Sequence, residues 1–340
     1  MQALGVRVGT TTNVRLMPYL VDTILNSNVV FQRIVNAAEK FEGERLRFPV
    51  KYAVNSTGTS YSGFTPLSTS ATTNRVNMEF FPSFYQITSA LPGDELSTAE
   101  SAGDAKVMDL VGVTLKSDMQ DMADALGTIF YADGTGNGGL DPLGLAALID
   151  DGTTAATIGG LARATYTTLK STVTASGGTL SLAKMGALWN SATSGSIQPT
   201  IAPTTKTIFN LYEQLLTPQE RIQKGVAQVK GIDGSSGFTT LSYKGIGVLA
   251  DEKCTSGQLI FMNENFMDWY GMKHFDGEPV QYKATIEGND YSDVMGLGFS
   301  FSGWIKPANA DAIIAHTYFG GQLITENPKR HSKLTAILGV

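Results

Sequence analysis

Gly134, Gly136 and Gly139 stand at the spacing G-x-G-x-x-G, which in a strand–turn–helix unit lets backbone close on a pyrophosphate at a helix N-terminus. The chemistry implied is hydride transfer with a nicotinamide cofactor. It requires a strand before the loop, a helix after it, and an acid about 20 residues on for the ribose. The surrounding residues "YADGTGNGGLDP" follow a long helical pattern instead, and Leu140 to Pro142 stands where a helix should begin. Glycines placed directly after a helix commonly end it. The run therefore reads as a terminator and hinge, with a nicotinamide-dependent oxidoreductase using 134–139 as the alternative from another functional class.

The other residues able to do chemistry are scattered. There is no Gly-Lys pair and hence no phosphate-binding P-loop. His274, His316 and His331 are too far apart for a helical metal site, and His316, inside a strand pattern, reads as a hydrogen-bonded structural residue. Cys254 has Lys253 beside it but no histidine close in sequence, so it reads as an inert thiol; as the sole cysteine it excludes an intrachain disulfide. Asp133 and Asp141 flank the glycines, yet only Asn137 supplies the alternate-position ligand that a calcium loop needs. Asp150 and Asp151 before Gly152 read as a turn. No catalytic, cofactor-binding or metal-ligating set emerges, and the chain is not expected to be an enzyme.

The elements between these residues carry more information. Leu46, Phe48, Val50, Tyr52 and Val54 alternate with Arg47, Pro49 and Lys51, which predicts a half-buried strand held to an edge by Pro49. Residues 55–74 carry no charge and are rich in Ser, Thr and Gly. A second strand pattern runs from Arg75 to about Leu91, with Val76, Met78 and Phe80 on one face. Together they predict a long hairpin with a wide tip. A hairpin of this length cannot bury both faces against its own domain, so Leu46, Phe48, Val50, Tyr52, Val54, Met78 and Phe80 are expected to be intersubunit contacts.

The period then changes. Ser97-x-x-Glu100 and Ser101-x-x-Asp104 are capping signatures, and Met108, Val111, Leu115, Met119, Met122, Leu126 and Ile129 step by three or four residues. This predicts one helix over about 98–131, roughly 45 Å long. Short helices and strands alternate over 145–270, including a helix with Leu182, Met185 and Trp189, the strand of "PTIAPTT", and a helix with Ile208, Leu211, Tyr212 and Leu215. Longer strands return near Leu297–Ile305 and at 310–325, and "NPKRHSKL" is the most basic short stretch. Residues 1–43 open with an extended stretch carrying Arg7 and Arg15, followed by Val21, Ile24 and Leu25 at helical spacing.

Composition narrows the class of function. Of 340 residues only 16% are charged, there are 37 glycines, and the net charge is −6. An acidic chain without a basic face is no dedicated nucleic-acid binder. A surface short of charge suits a subunit that mostly meets other protein. No apolar run reaches the ~18 residues of a membrane-spanning helix, so no membrane partner is expected.

Arm, hairpin, long helix, compact mixed domain and returning strands, in that order, resemble the major capsid protein of tailed bacteriophages, the Hong Kong 97-type fold. Local words resemble it too: "YADGTGNGGLDPLGLAALIDDG", "TIGGLARATY", "LYEQLLTPQERI", "FTTLSYKGIGVLADEKCTSGQLIFMN" and "LITENPKRHSKL". The resemblance implies an α+β fold divided into an N-terminal arm (1–43), an extended hairpin loop (44–92) and the spine helix of a peripheral domain (93–133). A compact mixed α/β axial domain (134–270) and long C-terminal peripheral strands (271–340) complete it. It further implies hexamers and pentamers closing into an icosahedral virion shell, made in the host cytoplasm, around double-stranded DNA touched only weakly and non-specifically. The chain starts almost at the arm, so a separate scaffolding protein is expected as a partner, with a portal and decoration proteins. Lys51 has no assignable acid and asparagine partners, so covalent cross-linking is not expected. An encapsulin-type nanocompartment shell with the same fold is the nearest alternative.

Overall fold

Helix Asp104–Tyr131 buries Val111, Leu115, Met119, Met122 and Leu126 along one side, as its period predicts, while at the ends Val107 and Phe130 are buried in place of Met108 and Ile129. The computed structural model describes residues 28–36, 38–70, 72–216, 240–279, 284–286, 289–291 and 298–339. The arm residues 1–27, with the helical spacing at Val21, Ile24 and Leu25, lie outside the described residues, as does Leu297.

The expected single helix over 98–131 is two. Helix Gly93–Ser101 stops at Ala102, and Gly103, at φ 108°, turns the chain before the long helix begins. That backbone angle favours glycine, which carries no Cβ. The two predicted caps do not form. Ser97 Oγ donates to the Gly93 carbonyl at 2.7 Å and Ser101 Oγ to that of Thr98 at 2.7 Å, so each hydroxyl turns back onto its own helix.

The long helix packs on a sheet whose centre is the 14-residue strand Ala312–Thr325. Along one edge of that strand runs Ser83–Pro92, antiparallel, from Ser83 opposite Gly321 to Pro92 opposite Ala312. Met267–Gly271 and Phe299–Phe301 also pair with it, and Glu39–Lys40 and Glu278–Pro279 extend the sheet outward. Gly321 permits this layout: a Cβ there would collide with the Tyr270 carbonyl and the Trp269 ring. The strand expected to run unbroken from Arg75 to Leu91 is interrupted at Phe81 and Pro82. Proline has no N–H to give a ladder, and the chain changes partners there, from Leu46–Lys51 before the break to Ala312–Thr325 after it.

A second sheet runs in the order Thr172–Thr174, Ser332–Leu334, Leu259–Phe261, Ile201–Thr204, Ile246–Ala250, Thr240–Tyr243. Helices Leu182–Ala192 and Lys206–Leu215 cover it, capped by the hydroxyls of Ser181 and Thr205. Met185, Trp189, Ile208, Phe209 and Tyr212 join Tyr243, Val248 and Phe261 in a separate core.

The chain crosses between the two sheets more often than contiguous segments 134–270 and 271–340 allow. Met267–Gly271 belongs to the first sheet and Ser332–Leu334 to the second. The segment before residue 43 is not wholly an arm. Helix Val29–Asn36, which the sequence reading missed, buries Val30, Phe31, Ile34 and Val35 in the first core, with Phe31 edge-on to Phe130 at 5.6 Å. Its signal was present in the i, i+1, i+4, i+5 spacing of those four residues.

Candidate functional site

The glycine run lies directly beyond the long helix. Gly134 adopts φ 80°, and Asp133 Oδ1 accepts from the Thr135 N–H at 3.1 Å, closing a turn. The Thr135 hydroxyl and N–H hold the Asp133 carboxyl below its usual range. A helix, not a strand, enters this loop, so the geometry that a nicotinamide cofactor requires is not built here.

Cys254 is buried, and its thiol is pushed well up, by burial first and then by the Asp251 carboxylate. His316 Nδ1 lies 2.9 Å from Thr88 Oγ1 on the neighbouring strand, a structural hydrogen bond. His331 is fully buried, with Nε2 3.0 Å from Thr325 Oγ1 and Nδ1 accepting from the Asn263 N–H at 3.3 Å. Burial pushes its imidazole down to about 3, so it stays neutral. Among the described residues, no three His, Cys, Asp or Glu side chains come together to hold a metal.

Among the described residues, the dense charged cluster around Asp150 is structural. Asp150 does lie in a turn, where Oδ2 accepts N–H bonds from Gly152 at 2.8 Å, Thr154 at 3.0 Å and Ala155 at 3.0 Å. It also lies between two buried cations, with Arg163 Nη1 at 3.5 Å and Lys333 Nζ at 3.4 Å. The guanidinium donates as well to the carbonyls of Leu169, Ala155, Ala147 and Leu148. Burial pushes the Asp150 carboxyl up, but the N–H groups of Ala155, Gly152 and Thr154 and the Lys333 ammonium outweigh it, leaving the group below its usual range. Leu148 and Ile149 belong to the first core and Leu334 to the second, so the cluster ties the two together. Asp150 and Lys333 are 183 residues apart in the chain, and no sequence pattern announces the pair.

The predicted hairpin forms, with Leu46 opposite Phe80, Phe48 opposite Met78 and Val50 opposite Val76. Its apolar stripe is not left waiting for a neighbour. Met78 (0% exposed) and Phe80 (2%) are part of this chain's own core. Leu46, Phe48 and Val50 pack half-buried against that core, and the Phe48 ring lies 5.7 Å from Tyr270. Tyr52 meets Tyr166 edge-on at 5.2 Å. Only Val54, 81% exposed, stands free. The loops around 158 and 166 and strand Met267–Gly271 fold beneath the base of the hairpin. On the outer side Glu79 joins Arg45 and Arg47, each at 2.8 Å.

Beyond Val54 the chain changes character. Residues 55–70 form no helix or strand and are exposed nearly throughout. Asn55 Oδ1 gathers the Thr57 N–H, the Thr57 hydroxyl at 2.7 Å and the Thr72 hydroxyl at 3.3 Å, pinning the neck of the tip. Tyr61, Phe64 and Leu67 stand in solvent there.

No family model matches the sequence, and no curated protein matches it. Solved structures do. The capsid asymmetric unit of cyanophage A-1(L) superposes over 92% of this chain and 93% of its own, at TM-score 0.65 and 16% identity. The chain has the fold of a phage capsid protein. The same capsid fold extends to the capsid of a native GTA particle, at TM-score 0.55 and 11% identity over 92% of this chain and 90% of that one. It extends also to an encapsulin complex from Synechococcus elongatus, at TM-score 0.53 and 9% identity over 90% and 87%. The mixed helix-and-sheet architecture is thus that of shell-forming proteins, and among the described residues no helix is long and apolar enough to cross a membrane.

Proposed function

We propose that this chain is the major capsid subunit of a tailed bacteriophage, a Hong Kong 97-type protein that assembles as hexamers and pentamers into an icosahedral head around double-stranded DNA. The observation that carries the reading is end-to-end superposition on a phage capsid subunit, with both chains covered almost completely. The exposed, uncharged hairpin tip supports it, since a monomer has no use for Tyr61, Phe64 and Leu67 in water. The face of Val54 and the tip is the proposed intersubunit contact. A net charge of −6 suits a wall that confines DNA without gripping it. Portal, scaffolding and decoration proteins are the partners this reading entails.

A second reading, an encapsulin-type compartment, is favoured by the encapsulin match over 90% of the chain. Particle contents separate the two. Shells purified from cells producing the whole particle should contain nuclease-protected double-stranded DNA. A protein cargo in place of DNA would shift the assignment to the second reading.

A further inference from the structure

We infer that the outer face of the hairpin ladder is a docking surface for a short acidic polypeptide segment of a different protein. This goes beyond the shell reading above and stands on the charge of one ladder.

Strands Leu46–Lys51 and Arg75–Phe80 each alternate between two faces. Leu46, Phe48, Met78 and Phe80 turn towards this chain's own core, which leaves Arg47, Lys51, Arg75 and Glu79 on the outer side. From Arg45 to Gly93 the chain holds five charged side chains, and four of them are cations. A protein of net charge −6 therefore carries a locally basic face here.

The two ends of the ladder pair differently. Arg47 stands opposite Glu79, and Arg45 reaches the same carboxylate, each at 2.8 Å. Four residues along, Lys51 stands opposite Arg75. Both are exposed, and neither meets a carboxylate among the described residues. Side chains directly opposite in a ladder start only about 5 Å apart, and like charges at that distance destabilise the pair. Charges on exposed strands also discourage pairing with stray chains, but the mixed pair of Arg47 and Glu79 does so without repulsion. Two facing cations weaken the free subunit, and an anionic partner would relieve them.

Three observations select that partner. The first is extent. Arg47 and Lys51 lie about 14 Å apart at ~3.4 Å per residue, the reach of four or five residues of extended chain. The second is the surroundings. Residues 52–74, towards the tip, carry no charge, and the chain outside the hairpin is acidic. A DNA duplex, with one charge per ~1.7 Å of its axis, would run past the patch onto like charge, whereas a short carboxylate-bearing segment meets the cations alone. The third is the absence of a stacking platform. Pro49 and Asn77 occupy the middle of the outer face, with no aromatic ring to hold unpaired bases.

The test uses the full chain as unassembled subunits and fluorescently labelled octa-glutamate, with octa-glutamine and a 20-base-pair DNA duplex as the other probes. Fluorescence anisotropy should show saturable binding of octa-glutamate that weakens as salt rises, and no binding of octa-glutamine. Lys51→Glu, which turns the like pair into an opposite one, should weaken octa-glutamate about tenfold without lowering the melting temperature. Lys51→Arg keeps the charge and should bind as the parent does. No binding of octa-glutamate, or equal binding by Lys51→Glu, would overturn the inference. A lower melting temperature for Lys51→Glu would also count against it, because the lysine would then serve the fold. Tighter binding of the duplex would give the face to nucleic acid instead. Salt-sensitive self-association of the parent, lost in Lys51→Glu, would give it to a second copy. None of these outcomes bears on the shell reading, which particle formation decides separately.

Discussion

Asp150→Ala tests how the two cores are joined. The substitution removes the shared partner of Arg163 and Lys333, which are 0% and 3% exposed, and orphans the N–H groups of Gly152, Thr154 and Ala155. Breaking a buried ion pair by deleting one partner costs about 3–5 kcal/mol, because the remaining charge stays buried without compensation. At about 2.1 cal/mol/K of unfolding entropy per residue, a chain of 340 residues has roughly 0.7 kcal/mol/K. The melting temperature should then fall by about 4–7 °C. Asp150→Asn separates the contributions, since it keeps an acceptor for the turn but removes the charge, and it should retain part of the loss. Asp151→Ala, which deletes the acceptor for the Thr153 N–H at 3.0 Å and for the Thr153 hydroxyl on a more exposed carboxylate, should cost less than about 1 kcal/mol. The assay is differential scanning calorimetry of unassembled subunits, which also reports whether the transition stays single. Because the cluster links segments of both cores, Asp150→Ala should broaden or split the transition. Equal melting temperatures for Asp150→Ala and Asp151→Ala would refute the reasoning.

Leu115→Asp places a charge in the fully buried stripe of the long helix. A cost of several kcal/mol should leave the protein insoluble, and a soluble, cooperatively folding variant would remove that face from the core. Replacing residues 55–74 with a short Gly-Ser linker should leave the subunit's melting profile nearly normal while abolishing stable closed shells, as read by calorimetry and electron microscopy. The pH dependence follows from His331, whose folded-state value of about 3 lies below the ordinary 6.5. The unfolded chain binds the proton first, so stability is complete above 6.5 and is lost as pH falls towards 3, at up to about 1.4 kcal/mol per pH unit. Urea titrations of His331→Gln should show a shallower decline over that window. Asp268 acts in the opposite sense. Burial, then Glu326 and Glu39, raise its carboxyl from 3.8 to about 6, so stability is lost as pH rises from 3.8 to about 6, and Asp268→Asn should stabilise the protein at pH 7.

Local periodicity made much of this fold legible. The stripe from Val111 to Leu126, the hairpin strand that begins at Leu46, and strand Ile201–Thr204 leading into its helix are all short-range patterns, and they formed as read. Contacts between distant parts of the chain were not legible. Ser83–Pro92 leaves the hairpin to pair with residues 220 to 238 positions away, and only Pro82 hinted that the first ladder would stop. The stripe at Met78 and Phe80 looked unpartnered because its partners, among them Ile158 and Tyr270, are remote in sequence. The Asp150, Arg163 and Lys333 cluster was hidden for the same reason. The candidate site was half visible. Its uncharged tip stood out by composition, whereas Tyr61, Phe64 and Leu67 gained meaning only once the structure left them exposed.

The most direct test of the central claim is an electron micrograph of the purified protein after assembly. The account predicts closed icosahedral particles of uniform diameter built from this chain. A population that remains monomeric at high concentration and under every assembly condition, with the subunit folded, would contradict it.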